Sequence, residues 1–314
     1  MEYTNKQLEN HVNRIKLTQE QKSSYSRQID NLRENVIEAV NSMENTRVIK
    51  IKRAGSWKKG TALAPKSGRP LDVDLVIYMD VEETTSFDAE ELRDEIIRVL
   101  CKAYPNKSRS DFTGGQKTIG IVFRGSGLEV DIVPFIPEKG NTTYGRQPRK
   151  RLNSGDFKTS VDKQLAFSVD LKSKYRIYAP VVRVLKAWRN YQELELSSFA
   201  IELGVAHLAI TGALTSTSIS AGLVAFFELF GNGNPIQIFF PGAIGIKPSA
   251  NPWIADPTNN QNNTLRLDQA EWQEVLTAAE VGFETISYAR VVRERGKTLA
   301  LWQEVFGPSF RVTE

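Results

Sequence analysis

Cysteine is almost absent from this chain. Cys101 stands alone, so no intramolecular disulfide can form, and the composition suits a reducing cytosol. Its helical spacing with Ile97, Leu100 and Tyr104 marks it as a packing side chain rather than a reactive thiol. Histidine is nearly as scarce: with only His11 and His207, a histidine-based zinc centre and a Ser-His-Asp triad are both disfavoured. His207 lies in an apolar helical stretch and is expected in the core. The longest apolar run, residues 199–214, is interrupted by Glu202 and His207, which reads as a buried helix and argues against a membrane span. The first residues, Met1-Glu-Tyr-Thr-Asn-Lys6, lack the apolar core of a signal peptide. One charge does not dominate either: 41 basic and 37 acidic residues leave +4, too mild to indicate nucleic-acid binding by itself, though compatible with an anionic substrate. A phosphate-binding P-loop is missing too. Gly296-Lys297-Thr298 imitates its end, but the first glycine would have to stand where Val291 does.

What is present suits an ordinary globular protein, 40% hydrophobic and 25% charged over 314 residues, which disfavours disordered and fibrous classes and predicts one large or two closely packed domains. No internal repeat is visible. Residues 18–45 read as a long amphipathic helix, opened by a Thr18/Gln21 capping box and striped by Tyr25, Ile29, Leu32, Val36, Val40 and Met43. A strand over 47–53 leads into Gly55-Ser56, and a second strand begins after the turn at residues 66–70. Residues 88–104 form a helix capped by Asp88 and Glu91 and stopped by Pro105. Strands over 117–124 and 128–133 follow, with Pro134 and Pro137 expected to end the sheet. The polar stretch 138–153 carries a basic cluster, Arg146, Arg149, Lys150 and Arg151. It reads as a solvated loop, or alternatively as a clamp on phosphates or nucleic acid. Beyond it the chain turns helical. Residues 178–191 carry Pro180 in the first turn and place Arg183, Lys186 and Asn190 on one face. Ser197-Ser198 caps a helix to about 214, and residues 221–230 form another. Residues 256–263 are a turn dense in amides, and Asp268/Glu271 caps a last helix to about 293.

One constellation carries chemistry. In Leu71-Asp-Val-Asp-Leu-Val-Ile-Tyr-Met79 the odd positions are apolar, so Asp72 and Asp74 project together from the other face of a strand. In Gly127-Leu-Glu-Val-Asp-Ile-Val-Pro134 the same logic turns Asp131 away from Leu128, Val130 and Ile132. Carboxylates held this close repel unless a cation lies between them. A hard divalent ion shared with substrate phosphates, Mg²⁺ foremost, fits that donor set. Gly55-Ser56, where a strand gives way to a helical turn, offers amide groups and a hydroxyl to a phosphate.

Gly55-Ser56, Asp72-Val-Asp74 and Asp131 together resemble the nucleotidyltransferase superfamily of poly(A) polymerases and oligoadenylate synthetases. Val181-Val-Arg-Val-Leu-Lys-Ala-Trp188, Ser197-Ser-Phe-Ala-Ile-Glu202 and Asp256-Pro-Thr-Asn-Asn260 are similar to the helical half of oligoadenylate synthetases and of the bacterial cGAS/DncV-like nucleotidyltransferases, the CD-NTases. Phe123-Arg-Gly-Ser-Gly-Leu-Glu-Val-Asp-Ile-Val-Pro134 and Trp302-Gln-Glu-Val-Phe-Gly-Pro-Ser-Phe310 look nearest to the CD-NTases, and clade C is favoured. The likeness covers nearly the whole chain and is loose over about 212–252.

The resemblance implies an α+β, bilobed fold: a bridging N-terminal helix over 1–46, a mixed-sheet catalytic lobe over 47–160 and a mostly helical lobe over 161–314. It implies an enzyme of the bacterial cytoplasm that makes a cyclic di- or trinucleotide second messenger from NTPs, ATP foremost, in anti-phage (CBASS) signalling. Asp72, Asp74 and Asp131 would hold two Mg²⁺ ions, for which Mn²⁺ could substitute, and Gly55 and Ser56 would grip phosphates. Lys186 and Ser198 would hold the triphosphate from the helical lobe, and Asp256 and Asn259 would line the cleft. A HORMA-domain activator with a bound peptide is an implied partner. The cysteines of the zinc insertion found in the animal DNA sensor are missing. Two alternatives stand beside this: an RNA or tRNA nucleotidyltransferase using the Arg146–Arg151 cluster, and an inactive scaffold of the same fold.

Overall fold

The computed structural model describes residues 2–66, 69–82, 89–113, 118–147, 157–214, 217–241 and 252–312. They divide into a sheet unit, Leu17–Leu165, and a helical unit formed by Met1–Lys16 with Ala166–Glu314. The N-terminal segment is two helices, α1 (Asn5–Ile15) and α2 (Gln19–Asn41), each started by its own capping box, Thr4 with Gln7 and Thr18 with Gln21. In each box the threonine oxygen accepts from the backbone N–H three residues on and the glutamine answers to the threonine N–H. The second box starts a new helix, so α1 falls in the helical unit and α2 in the sheet unit.

In the sheet unit, β1 (Thr46–Arg53) is followed by a short helix α3 (Gly55–Lys59), β2 (Leu71–Val81), α4 (Ala89–Ala103), β3 (Phe112–Thr113), β4 (Ile119–Phe123), β5 (Leu128–Glu138), β6 (Asn141–Gln147) and β7 (Phe157–Thr159). They make a mixed seven-stranded sheet, ordered β1-β2-β5-β4-β3, with β6 pairing β5 and β7 pairing β6. The β2–β5 pair at its centre is parallel, and the other strand pairs of this sheet are antiparallel. Period-2 alternation explains the layering. Leu71, Val73, Leu75, Ile77 and Met79 of β2 join Leu128, Val130 and Ile132 of β5 in a core with Ile29, Leu32 and Val36 of α2 and Ile96, Ile97 and Leu100 of α4. Cys101 packs at the edge of this core, in agreement with its helical spacing. The opposite face of the sheet holds a smaller cluster of Ala54, Val76, Tyr78, Val133, Phe135 and Val161.

The sheet does not end at the prolines. β5 runs through Pro134, because β4 pairs with it only as far as Ile132 and β6 only from Ile136, and through Pro137, which pairs with β6 beyond the last β2 partner at Phe135. Pro134 therefore sits where one flank of the strand is open and its missing N–H leaves no partner waiting. Residues 141–147 likewise form a strand, not a solvated loop. Gly145 is buried against β5, where an added Cβ would lie 2.5 Å from the Ile136 carbonyl and 2.6 Å from the Phe135 ring. The expected cap Asp88 and the basic residues Arg149, Lys150 and Arg151 lie outside the described residues.

The helical unit receives α5 (Val161–Lys174), which begins in the sheet unit, and continues through α6 (Tyr178–Tyr191), α7 (Ser198–Ile210), α8 (Ile219–Gly231), the paired β8 (Gln237–Ile238) and β9 (Trp253–Ile254), α9 (Gln269–Val291) and α10 (Arg295–Phe306). Its core is aromatic. Trp188 meets Phe226 and Phe227 edge-on, while Trp302, Phe306 and Phe310 stack on one another. The Asp268/Glu271 box caps α9 as the sequence predicts. Thr298, from the P-loop imitation, is buried in the first turns of α10 with its hydroxyl donating to the Glu294 carbonyl at 3.0 Å. Among the described residues, no helix is long and apolar enough to cross a membrane.

Candidate active site

The site is assembled where β1 hands over to α3 beside β2. The antiparallel ladder brings Arg53 opposite Leu75, and the Ala54 N–H then donates to the Asp74 carbonyl at 2.8 Å. The chain has to turn sharply here, and Gly55 does so with φ +55°, a left-handed conformation that glycine adopts without steric cost. Space imposes the same choice: a Cβ on Gly55 would lie 1.6 Å from Asp74 Oδ2. The Gly-Ser turn is thus packed directly onto the second carboxylate. Ser56 follows in the first turn of α3, and its carbonyl accepts from Thr61 N at 2.9 Å and Ala62 N at 3.1 Å, closing the loop that leaves the turn. Gly60 caps α3 in the left-handed region.

The parallel register supplies the rest. Asp74 stands opposite Asp131, and one step nearer the strand starts Asp72 stands opposite Glu129. Since paired residues of neighbouring strands share a face, the four carboxylates form one acidic array on the side of the sheet away from the main core. Asp72 is exposed, while Asp74, Glu129 and Asp131 are half-buried. Burial pushes the Asp131 carboxyl above the ordinary aspartate range, partly opposed by a hydrogen bond from the Thr118 side chain. Burial, and then the charge of Asp131, push Glu129 the same way. A cation would relieve both effects. Among the described residues no three carboxylate, thiol or imidazole groups close tightly enough on one point to hold an ion by themselves. The donor set, hard oxygens on adjacent strands, nevertheless fits a Mg²⁺ whose remaining ligands are phosphate and water.

One member of the array, Glu129, and one neighbour of it, Thr118, are not singled out by the sequence. Glu129 falls two positions before Asp131, so the alternation that placed Asp131 would have placed it too. Thr118 immediately precedes β4, a neighbour of Asp131 visible only once Gly120 is paired with Asp131.

The other predicted residues belong to the helical unit. Lys186 is buried on α6, and Arg183 on the same helix is held below the usual guanidinium range by burial. Ser198 is the first residue of α7, whose cap is Ser197, and its hydroxyl accepts from Arg189 Nη2 at 3.3 Å. Arg189 also donates to the Leu196 carbonyl at 2.7 Å, which braces the turn between α6 and α7. Asp256 is only 2% exposed, and one carboxylate oxygen accepts from both the backbone N–H and the hydroxyl of Thr258 at 2.7 Å. These bonds close an Asx-type turn inside the loop. Asn259 does similar work, accepting from Gln261 N at 3.0 Å. His207 is half-buried, with its pKa lowered by burial, in keeping with a packed, neutral side chain. Of the basic cluster, Arg146 is exposed on β6 opposite Lys158 of β7.

Comparison with known proteins gives this geometry a family. Residues 1–160 match the model of the Second Messenger Oligonucleotide or Dinucleotide Synthetase domain. The CBASS oligonucleotide cyclase CdnC of Escherichia coli strain KTE188 is 29% identical over 317 residues, spanning 100% of this chain and 99% of the relative. The cyclic AMP-AMP-AMP synthase of E. coli strain MS 115-1 is 31% identical over 273 residues, 82% of each chain. The structure of E. coli MS115-1 CdnC with ATP superimposes with a TM-score of 0.79 at 25% identity, covering 98% of this chain and 99% of the other. The same protein has been solved in a complex with HORMA-deltaN, again at a TM-score of 0.79 and at 26% identity, covering 98% of each chain. The chain therefore belongs to the second messenger oligonucleotide or dinucleotide synthetase family, the bacterial CD-NTases, and is a nucleotidyltransferase.

Proposed function

We propose that this enzyme makes a cyclic di- or trinucleotide second messenger from NTPs, ATP foremost, in anti-phage (CBASS) signalling. One observation carries the reading: Asp74 lies in register with Asp131 on the neighbouring strand while the Gly55 turn packs onto the Asp74 carboxylate. Anion-binding amides and a cation-binding face thus meet at one side chain, as transfer of a nucleotidyl group requires. Asp72, Asp74 and Asp131 would hold Mg²⁺, and Gly55 and Ser56 would receive the phosphates of the donor nucleotide. The ribose hydroxyl of one nucleotide attacks the α-phosphate of another, the new phosphodiester forms, and pyrophosphate leaves. A final attack by the free ribose hydroxyl of the linear product on the α-phosphate of its own terminal triphosphate closes the ring and releases pyrophosphate. When bound, the ions lower the pKa of the attacking hydroxyl and offset charge on the leaving pyrophosphate. Every other contribution is positional. Lys186 and Ser198 are assigned to the triphosphate, whereas Asp256 and Asn259 would act through the loop they organise. A HORMA-domain partner fits the same reading, because the similar CdnC was solved with one.

The test is mass spectrometry of the products formed from all four NTPs with no RNA added. Cyclic oligonucleotide and released pyrophosphate support the proposal. Nucleotide addition that needs an RNA acceptor would move the assignment to the exposed Arg146 and Lys158 surface. No pyrophosphate under any condition would leave an inactive scaffold.

A further inference from the structure

Glu129 is a carboxylate that the local structure does not explain. Among the described residues it has no cationic partner and no hydrogen bond, only the neighbouring charge of Asp131. Its strand neighbours are Asp72 on one side and Val122 on the other. Like charges opposite one another on adjacent strands are destabilising, and a half-buried carboxylate with no partner among the described residues costs more again. Leu128 and Val130 already supply the core face, so Glu129 adds nothing to the main core. Such local conflicts collect where a protein serves a ligand.

Resting on the site reading above, we infer that Glu129 belongs to the cation-binding face with Asp72, Asp74 and Asp131 and strengthens the binding of divalent ions there. It stands across β2 from the Gly55 turn, because β1 pairs with one flank of β2 and β5 with the other. Negative charge from Glu129 therefore reaches a bound ion from the side opposite the phosphate grip.

The experiment compares wild type, Glu129→Gln and the double variant Asp72→Ala/Asp74→Ala as full-length chains. Binding of Mn²⁺ is followed by loss of the free-ion signal in electron paramagnetic resonance, and thermal unfolding is recorded in EDTA and in saturating Mg²⁺. Glu129→Gln is expected to bind Mn²⁺ about tenfold more weakly. In EDTA it should unfold at the same temperature as wild type or higher, because a repulsion is removed, and Mg²⁺ should stabilise it less than it stabilises wild type. Unchanged Mn²⁺ affinity overturns the inference, as does a lower unfolding temperature in EDTA, which would mean a purely structural role. If wild type binds no more Mn²⁺ than the double variant, the site reading itself fails and the inference goes with it.

Discussion

On one face of the β2–β5 pair stand Leu71, Val73, Leu75, Ile77, Leu128, Val130 and Ile132, all buried; on the other, interleaved with them, stand Asp72, Asp74, Glu129 and Asp131. The two faces share a backbone, so any slip of register moves both. Because a one-residue shift would turn the aliphatic set toward solvent, the core face holds the register firmly. The acidic face cannot hold itself, since its members repel. Stability is therefore made on one side and used on the other. The same ribbon changes character along its length: past Asp74 and Asp131 the site face becomes Val76, Tyr78, Val133 and Phe135, which closes a dry floor behind the carboxylates.

Substitutions can separate the faces. The largest expected effect is that of Asp72→Ala/Asp74→Ala, which should lower pyrophosphate release by about 10³-fold or more. The melting temperature in EDTA should change little, because neither side chain belongs to the core face. Gly55→Ala comes next. The methyl group would meet Asp74 Oδ2 at 1.6 Å in a backbone with φ +55°, and the carboxylate or the turn must move by about an ångström. Turnover should fall about a hundredfold, with about 1–3 kcal/mol of stability lost to strain, read from steady-state kinetics and denaturant unfolding. Leu75→Ala, on the core face, should reverse the pattern. It should cost about 2–5 kcal/mol of stability while turnover per folded molecule changes least of the three. If Leu75→Ala abolished turnover in a fully folded sample, the separation of the faces would be wrong.

Residues that act through strand alternation were the most legible, because a period of two assigns each side chain to a face without tertiary knowledge. Asp72, Asp74 and Asp131 all fall where that rule puts them. Capping chemistry was equally local: the boxes at Thr18/Gln21 and Asp268/Glu271 begin α2 and α9, and Pro180 lies in the first turn of an α6 that spans the predicted 178–191. Helix α1 carried the same signal in Thr4 and Gln7, with Leu8, His11, Val12 and Ile15 buried at helical spacing, and could have been read. Strands β6 and β7 could not. β6 is polar and glycine-bearing and β7 is three residues long, and only the Phe135 ring over Gly145 shows why that stretch pairs. Asp256 is ambiguous for a related reason: a short acidic side chain among amides suits a ligand contact or an Asx-type turn equally well, and its 2% exposure with Thr258 on one oxygen shows the turn without bearing on the ligand contact.

The proposed chemistry requires the acidic face to be a cation site beside the Gly55 turn. Anomalous diffraction from crystals grown with Mn²⁺ and a non-hydrolysable ATP analogue measures that directly. Mn²⁺ peaks bound by Asp72, Asp74 and Asp131, with the analogue's phosphates against Gly55 and Ser56, are the predicted result. Phosphates held elsewhere, or an acidic face without manganese while the analogue is bound, would contradict it.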